Sequence, residues 1–153
     1  DGQLLGFTKR MTYRSKHKYL DRGLPKRNTL FNIQNAKDSS AVIITEGPLD
    51  AMKVYQAGFP NVVATMMGSL TDTQADILRR NFKEVIIFTD LDESGRKIGG
   101  NIAEKCKGLD IYWADIPEGY KDAGEMTESQ IKEAIEGKLS KLQMNLKNRR
   151  INT

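Results

Sequence analysis

Two apolar runs, Ala41-Val42-Ile43-Ile44-Thr45 and Val85-Ile86-Ile87-Phe88-Thr89, constrain the fold more than any other feature of this 153-residue chain. Neither alternates with polar residues, so neither suits a strand with one wet face. Both suit strands buried on two faces, the condition of a parallel sheet covered by helices. Parallel neighbours need long crossovers, and the intervening sequence supplies them. Strands are predicted near 41–45, 62–66, 85–90 and 109–115, with helices over 48–58, 71–82 and 95–107 between them. Gly58 and Gly108 stand where the first and third helices should stop, and Thr71 or Asp72 can cap the second. The expectation is an α/β fold with a doubly wound, mainly parallel four-stranded sheet.

Each run ends on acids: Glu46-Gly47-Pro48-Leu49-Asp50 after the first, Asp90-Leu91-Asp92 after the second. Sheets of this kind collect ligands beyond the carboxyl ends of their strands, so Glu46, Asp90 and Asp92 are expected to meet at one edge. Carboxylates gathered there raise one another's pKa unless a divalent cation neutralises them, and hard oxygen donors suit Mg²⁺. Asp90 and Asp92, at i and i+2 in an extended segment, point to one side. Glu93-Ser94-Gly95-Arg96 then opens a helix whose N-terminus attracts phosphate. Gly47 allows a tight turn beside a ligand, and Asp50 adds an acid on the first helical turn. Lys121-Asp122 follows the fourth strand on the same edge, and Gly68-Ser69 follows the second. Each group has a plain structural alternative: Glu46 as an exposed strand end, Asp50 as a charge balancing a helix dipole, and the other segments as polar turns. Met66 and Met67 read as core.

The net charge of +4 is unevenly spread. Residues 9–27 carry Lys9, Arg10, Arg14, Lys16, Lys18, Arg22, Lys26 and Arg27 against Asp21, with Tyr13 and Tyr19 interleaved. Cations that hold phosphates beside rings that stack on bases suit a single-stranded nucleic acid, the alternative being a solvated basic surface. A second basic run, Lys138 to Arg150, suits a solvated helix face. The single Cys106 excludes an internal disulfide framework and points to a reducing, intracellular setting, and His17 alone cannot supply a histidine cluster. No apolar stretch approaches membrane-spanning length. A chain that begins at Asp1 rather than Met is expected to be a piece of something longer. Residues 1–35 read as a small irregular lobe with a strand candidate at Leu4-Leu5-Gly6-Phe7 and no helix period. Ile131, Ala134, Ile135, Leu139 and Leu142 recur at helical spacing, predicting one closing helix from Thr127 that frays beyond Leu146.

In order along the chain, Glu46-Gly47-Pro48-Leu49-Asp50, Asp90-Leu91-Asp92-Glu93-Ser94-Gly95-Arg96 and Lys121-Asp122 resemble the motifs of the Toprim superfamily of topoisomerases, primases, and recombination and nuclease proteins. Within it the chain is most similar to bacterial DnaG-type primases and their phage relatives. Gly2 to Arg10 resembles the glycine-and-arginine stretch before the core, and Lys18-Tyr19-Leu20-Asp21 the Lys-Tyr-Leu-Asn segment. Leu30-Phe31-Asn32 resembles the hydrophobic step ahead of the first Toprim strand. Asp21 replaces the usual Asn, Leu91 the common Gly between the aspartates, and Ala123 a frequent Pro. The resemblance implies catalytic acids at Glu46, Asp90 and Asp92, with Asp50 and Asp122 joining them in holding Mg²⁺ or Mn²⁺. It also implies template and nucleotide contacts at Arg10 and Lys18, while position at the acidic edge suggests nucleotide phosphates for Gly47, Gly95, Arg96, Lys97 and Lys121, and the basic run suggests nucleic acid for Lys9, Arg14 and Tyr19. The resemblance divides the chain into the end of a basic N-terminal lobe (1–38), a Toprim domain (39–125) and a C-terminal helix and tail (126–153). The implied activity is RNA primer synthesis on a single-stranded DNA template from ribonucleoside triphosphates. The implied setting is the cytoplasm, at the replication fork, with a replicative helicase engaged through a domain outside the chain. A Toprim nuclease and a non-catalytic nucleic-acid-binding module are the alternatives.

Overall fold

The computed structural model describes residues 4–13 and 19–151. Gly2, Gln3, Arg14, Lys16, His17 and Lys18 lie outside the described residues, and Tyr19 and Asp21 are described in their backbone only. The first strands, β1 (Phe7–Arg10) and β2 (Tyr19–Arg22), form an antiparallel hairpin with Phe7 opposite Arg22 and Arg10 opposite Tyr19. The strand expected over 4–7 thus begins where that segment ends. A 3-10 turn at Lys26–Asn28 and a one-turn helix α1 (Ile33–Ala36) follow, the latter too short to leave a period in the sequence. Phe31 then bridges antiparallel to Ala64, laying the segment along the edge of the main sheet.

The four expected parallel strands are β3 (Ala41–Thr45), β4 (Val62–Ala64), β5 (Glu84–Ile87) and β6 (Asp110–Trp113). They are linked by α2 (Pro48–Gln56), α3 (Asp72–Asn81) and α4 (Glu93–Lys105). Gly58 and Gly108 stand just beyond α2 and α4 at φ 100° and 98°, a region that stops a helix cheaply only at glycine. Thr71 caps α3 with a reciprocal Thr71–Gln74 capping box. The strand order is β4-β3-β5-β6, so the chain steps from β3 to one side and returns to the other. The switch point falls between β3 and β5.

Strand alternation sorts the core into two layers. Ile43, Ala64, Ile86 and Phe88 pack under α2, and Val42, Ile44, Val63, Val85 and Ile87 pack under α3 and α4. Val42, Ile43 and Ile44 are all 0% exposed, each burial stabilising by about 1.5–3 kcal/mol. This double burial is what the unbroken apolar runs require.

The C-terminal expectation needs correction. The closing helix is two helices, α5 (Glu128–Glu136) and α6 (Lys141–Ile151), separated by a fifth strand β7 (Leu139–Ser140) that pairs antiparallel with Tyr112 and Trp113. α5 joins α2 on its face of the sheet, burying Ile131, Ala134 and Ile135. The break follows from Gly137 at the end of α5 and from Lys138, whose ammonium pairs with Glu84 and sits 4.6 Å from the centre of the Tyr112 ring. Leu139, placed on a helix face by its spacing, is therefore a strand residue. Ser140 restarts the helix, its backbone N–H donating to Gln143 Oε1 at 2.9 Å. Helix continues through Ile151, past the point where fraying was expected.

Candidate active site

The acids converge because the topology makes them. Glu46 and Asp90 follow β3 and β5, which are hydrogen-bonded neighbours at the switch point. Each strand delivers a buried threonine just before its acid. Thr45, 0% exposed, donates from its hydroxyl to the carbonyls of Gly47 (3.2 Å) and Val63 (3.3 Å). Thr89 donates to the Gly95 carbonyl at 2.9 Å. After β4, the Thr65 hydroxyl reaches the carbonyls of Met67 (2.9 Å) and Glu46 (3.4 Å). Three adjacent strand ends are thus tied to their own loops by side chains that the sequence reading took as the ends of apolar runs.

The turn after β5 is held by close approach. A Cβ on Gly95 would lie 2.1 Å from the Asp90 carbonyl oxygen, so only glycine lets α4 start against that backbone. Asp92 is the N-cap of α4, its Oδ1 accepting from Gly95 N–H at 2.8 Å, while its Oδ2 lies 3.6 Å from Lys121 Nζ. The Lys121 carbonyl accepts from Leu91 N–H at 3.1 Å, which fastens the third acidic segment to the same edge. Asp122 caps the 3-10 turn Ala123–Glu125, accepting from Glu125 N–H at 3.2 Å.

The electrostatics fit a crowded anionic edge. Burial lifts the Glu46 carboxyl above its ordinary range, and Asp90, Asp50 and Asp92 push it further. Asp50 is driven up to about 6 by burial, then by Asp90 and Asp122. Burial, then Asp122 and Asp92, raise Asp90. Lys121 opposes the rise at both Glu46 and Asp90 without cancelling it. Asp92 departs from the expected mutual elevation: the Gly95 N–H, helped by Lys121, holds it below the usual carboxylate value. Among the described residues, no three His, Cys, Asp or Glu side chains stand close enough together to enclose an ion as they are. Capping explains part of this, because Asp92 and Asp122 each turn one oxygen toward a helical N–H. The donor chemistry nonetheless fits a hard divalent cation: carboxylates come from three loops, and those of Glu46, Asp50 and Asp90 are raised by burial and by the charge of neighbouring acids.

A cleft of about 200 Å³ opens beside Glu46. Glu46, Gly47 and Pro48 form one side, Met66, Met67 and Gly68 another, and Thr8 and Lys26 of the N-terminal lobe close it. Met66 and Met67 are therefore site-lining rather than core, both only half-buried. Met66 adopts φ 60° and donates its N–H to the Glu46 carbonyl at 3.0 Å, a strained backbone placed at the functional edge. The doubled methionine at a strand end was the available signal.

Three residues expected to meet phosphate have other partners or another position in this structure. The Gly95 N–H is spent on Asp92, and Lys97 pairs with Glu93 at 2.7 Å on the exposed side of α4. Arg96 borders a groove between α4 and α6 with Trp113 and Lys141. Gly47 and Lys121 do stand at the acidic edge. Lys9 and Arg10 are exposed on β1, whereas Arg14 and Lys18 lie outside the described residues and Tyr19 is described in its backbone only.

A parallel sheet with acids at its switch point, beside a basic N-terminal segment, defines a class that comparison identifies: residues 40–114 are a Toprim domain. The homologues of the chain are DNA primases. That of Clostridium acetobutylicum is 33% identical over 144 residues, covering 88% of this chain and 24% of its own length. The crystal structure of the Aquifex aeolicus primase zinc-binding and RNA polymerase domains superposes with a TM-score of 0.82 at 28% identity, over 99% of this chain and 41% of that one. A DnaG primase catalytic domain, solved bound to ssDNA, gives 0.75 at 21% identity, over 90% of this chain and 49% of that one, a likeness of fold. The chain thus spans about a quarter of the length of the curated relative it matches. No helix among the described residues is long and apolar enough to cross a membrane.

Proposed function

We propose that the chain is the metal-binding part of a primase RNA polymerase core, acting in nucleotidyl transfer to an RNA primer on a single-stranded DNA template. The structural observation that carries this reading is the cleft in which Glu46 faces Thr8 and Lys26 of a basic lobe. A Toprim nuclease would use the same acids and would also need cations to hold its phosphodiester substrate; it is the DNA primase homologues that favour the primase reading over it. Residues 1–38 would form the end of the basic lobe and 39–125 the catalytic domain, with 126–153 leading out of it.

Glu46, Asp90 and Asp92 would hold Mg²⁺, or Mn²⁺ in its place, with Asp50 and Asp122 behind them. The bound ion would supply positive charge to the triphosphate and the attacking hydroxyl. Glu46 is the candidate acceptor for the proton of a primer 3′-hydroxyl. Lys121 is the cation placed to meet a ribonucleoside triphosphate, and Lys9, Arg10 and Lys26 lie where template phosphates would run. A cytoplasmic setting at the replication fork, with a helicase reached through a segment outside this chain, belongs to the same reading.

Titrating Mn²⁺ while following paramagnetic broadening of amide signals tests the site. Broadening centred on Glu46, Asp90 and Asp92 is expected, together with weak extension of a supplied primer and little unprimed synthesis. Broadening centred elsewhere would defeat the assignment.

A further inference from the structure

Gln74 is an uncharged polar side chain with 0% exposure, in the first turn of α3. Its Oε1 accepts from Thr71 N–H at 3.0 Å, completing the capping box. Its Nε2 does something a cap does not require: it faces the carbonyls of Lys26 (2.8 Å), Thr29 (2.8 Å) and Thr65 (2.9 Å). The second capping box, at α5, gives an internal comparison. There Gln130 is only half-buried, and its amide donates to the Tyr120 hydroxyl at 2.6 Å, within the same part of the chain. Capping alone therefore accounts for neither the burial of Gln74 nor its three main-chain partners.

One of those partners, Lys26, lines the cleft beside Glu46, and another, Thr65, directly precedes its lining residues Met66 and Met67. Lys26 lines the lobe wall, and the Thr71 hydroxyl adds a second clamp on the same segment by donating to the Arg27 carbonyl at 2.6 Å. Thr65 lies behind the Met66–Met67 side of the cleft, where its hydroxyl and the next N–H, that of Met66, both reach the Glu46 carbonyl. One carboxamide thus stands between the segment that carries the basic lobe and the loop that carries the acid.

We infer that Gln74 is a positioning residue whose carboxamide sets the separation of the basic lobe from Glu46, so that template and metal-bound nucleotide are held in one register. The inference rests on the primase reading of the site. Carbonyls cannot hold one another; the Gln74 amide hydrogens tie the Lys26 and Thr29 carbonyls to that of Thr65, adding to the Thr71–Arg27 bond and the Phe31–Ala64 bridge that hold the same segment. Gln74→Glu keeps size and the Oε1 acceptor but turns a carboxylate oxygen on three carbonyls. Gln74→Asn keeps the amide and withdraws it by one methylene.

The test uses this same chain with Mn²⁺ as probe. In the unsubstituted protein, broadening at Glu46, Asp90 and Asp92 should extend across the cleft to the amides of Thr8 and Lys26. In Gln74→Glu the Mn²⁺ affinity should stay within about threefold while the broadening at Thr8 and Lys26 falls severalfold and single-stranded DNA binding weakens about tenfold. Gln74→Asn should show the same split in milder form, and it carries the test if Gln74→Glu does not fold. Equal broadening of Thr8 and Lys26 in unsubstituted and variant proteins overturns the inference, as does a loss of Mn²⁺ affinity matching the loss of DNA binding. Absence of broadening at the acids of the unsubstituted protein would instead remove the metal reading beneath it.

Discussion

Asp50→Asn should make the metal-free protein more stable, although it removes an acid from the site. Asp50 rises from 3.8 to about 6 on folding, mainly through burial and then through Asp90 and Asp122. A carboxyl whose pKa is higher folded than unfolded binds its proton more tightly when folded. Its contribution to stability is full below about 3.8 and is lost as pH climbs through about 6. At about 1.4 kcal/mol per pH unit the loss is about 3 kcal/mol before screening, and about 2 kcal/mol for a half-buried group partly screened by water. Asparagine keeps an acceptor for the Gly47 N–H that Asp50 engages and carries no charge. Urea unfolding followed through Trp113 fluorescence in excess EDTA, from pH 4 to pH 8, measures the difference. The variant should be about 2 kcal/mol more stable at pH 7, or about 4–8 °C higher in Tm, with the gap closing near pH 4. Saturating Mg²⁺ should narrow it, because a cation relieves the wild-type repulsion. A variant no more stable than wild type at pH 7 in EDTA, or a gap independent of pH, would refute the reasoning.

Asp92→Asn and Asp92→Ala should separate two roles of one residue: both weaken Mn²⁺ binding about tenfold or more by calorimetry, but only alanine also costs about 1 kcal/mol of stability through the lost α4 cap. Asp90→Asn should bind Mn²⁺ as poorly while unfolding at the same or a higher urea concentration; wild-type affinity in this variant would remove Asp90 from the site. Gly95→Ala should cost about 3 kcal/mol, because its methyl group would collide with the Asp90 backbone; a variant as stable as wild type would contradict the close approach. Single-stranded DNA affinity should fall linearly with salt on a log–log plot, with Arg10→Ala lowering the slope by about 0.7; an unchanged slope would take Arg10 out of the template path.

The sheet was legible because burial on both faces leaves an unbroken β-branched run, and the edge was legible because parallel strands aim their ends one way. Glu46 and Asp90 needed nothing more. β7 was hidden: two residues are too few for a period, and Leu139 sat at a spacing that a helix would also produce. The Ser140-x-x-Gln143 pattern, the same kind of box that starts α3 and α5, was the cue for a restart. Side-chain direction was the harder limit. Periodicity places a Cα on an edge but cannot say that Asp92 turns to cap α4, that this consumes the Gly95 N–H, or that Arg96 borders the far groove. Nothing in the sequence singles out Gln74, because its partners at Lys26 and Thr29 are far away along the chain.

The ion pair between Asp92 and Lys121 makes charge at this edge transferable. Lys121 is now the counter-ion for an oxygen that a divalent cation would claim. Were that oxygen taken by a cation, the ammonium would give up its nearest carboxylate while remaining anchored through its own backbone to Leu91, and it would stay at the rim with more of its charge available. Loading the acids would then also strengthen the edge's attraction for polyphosphate, whereas a nucleotide arriving ahead of the cation would meet Lys121 still paired with Asp92.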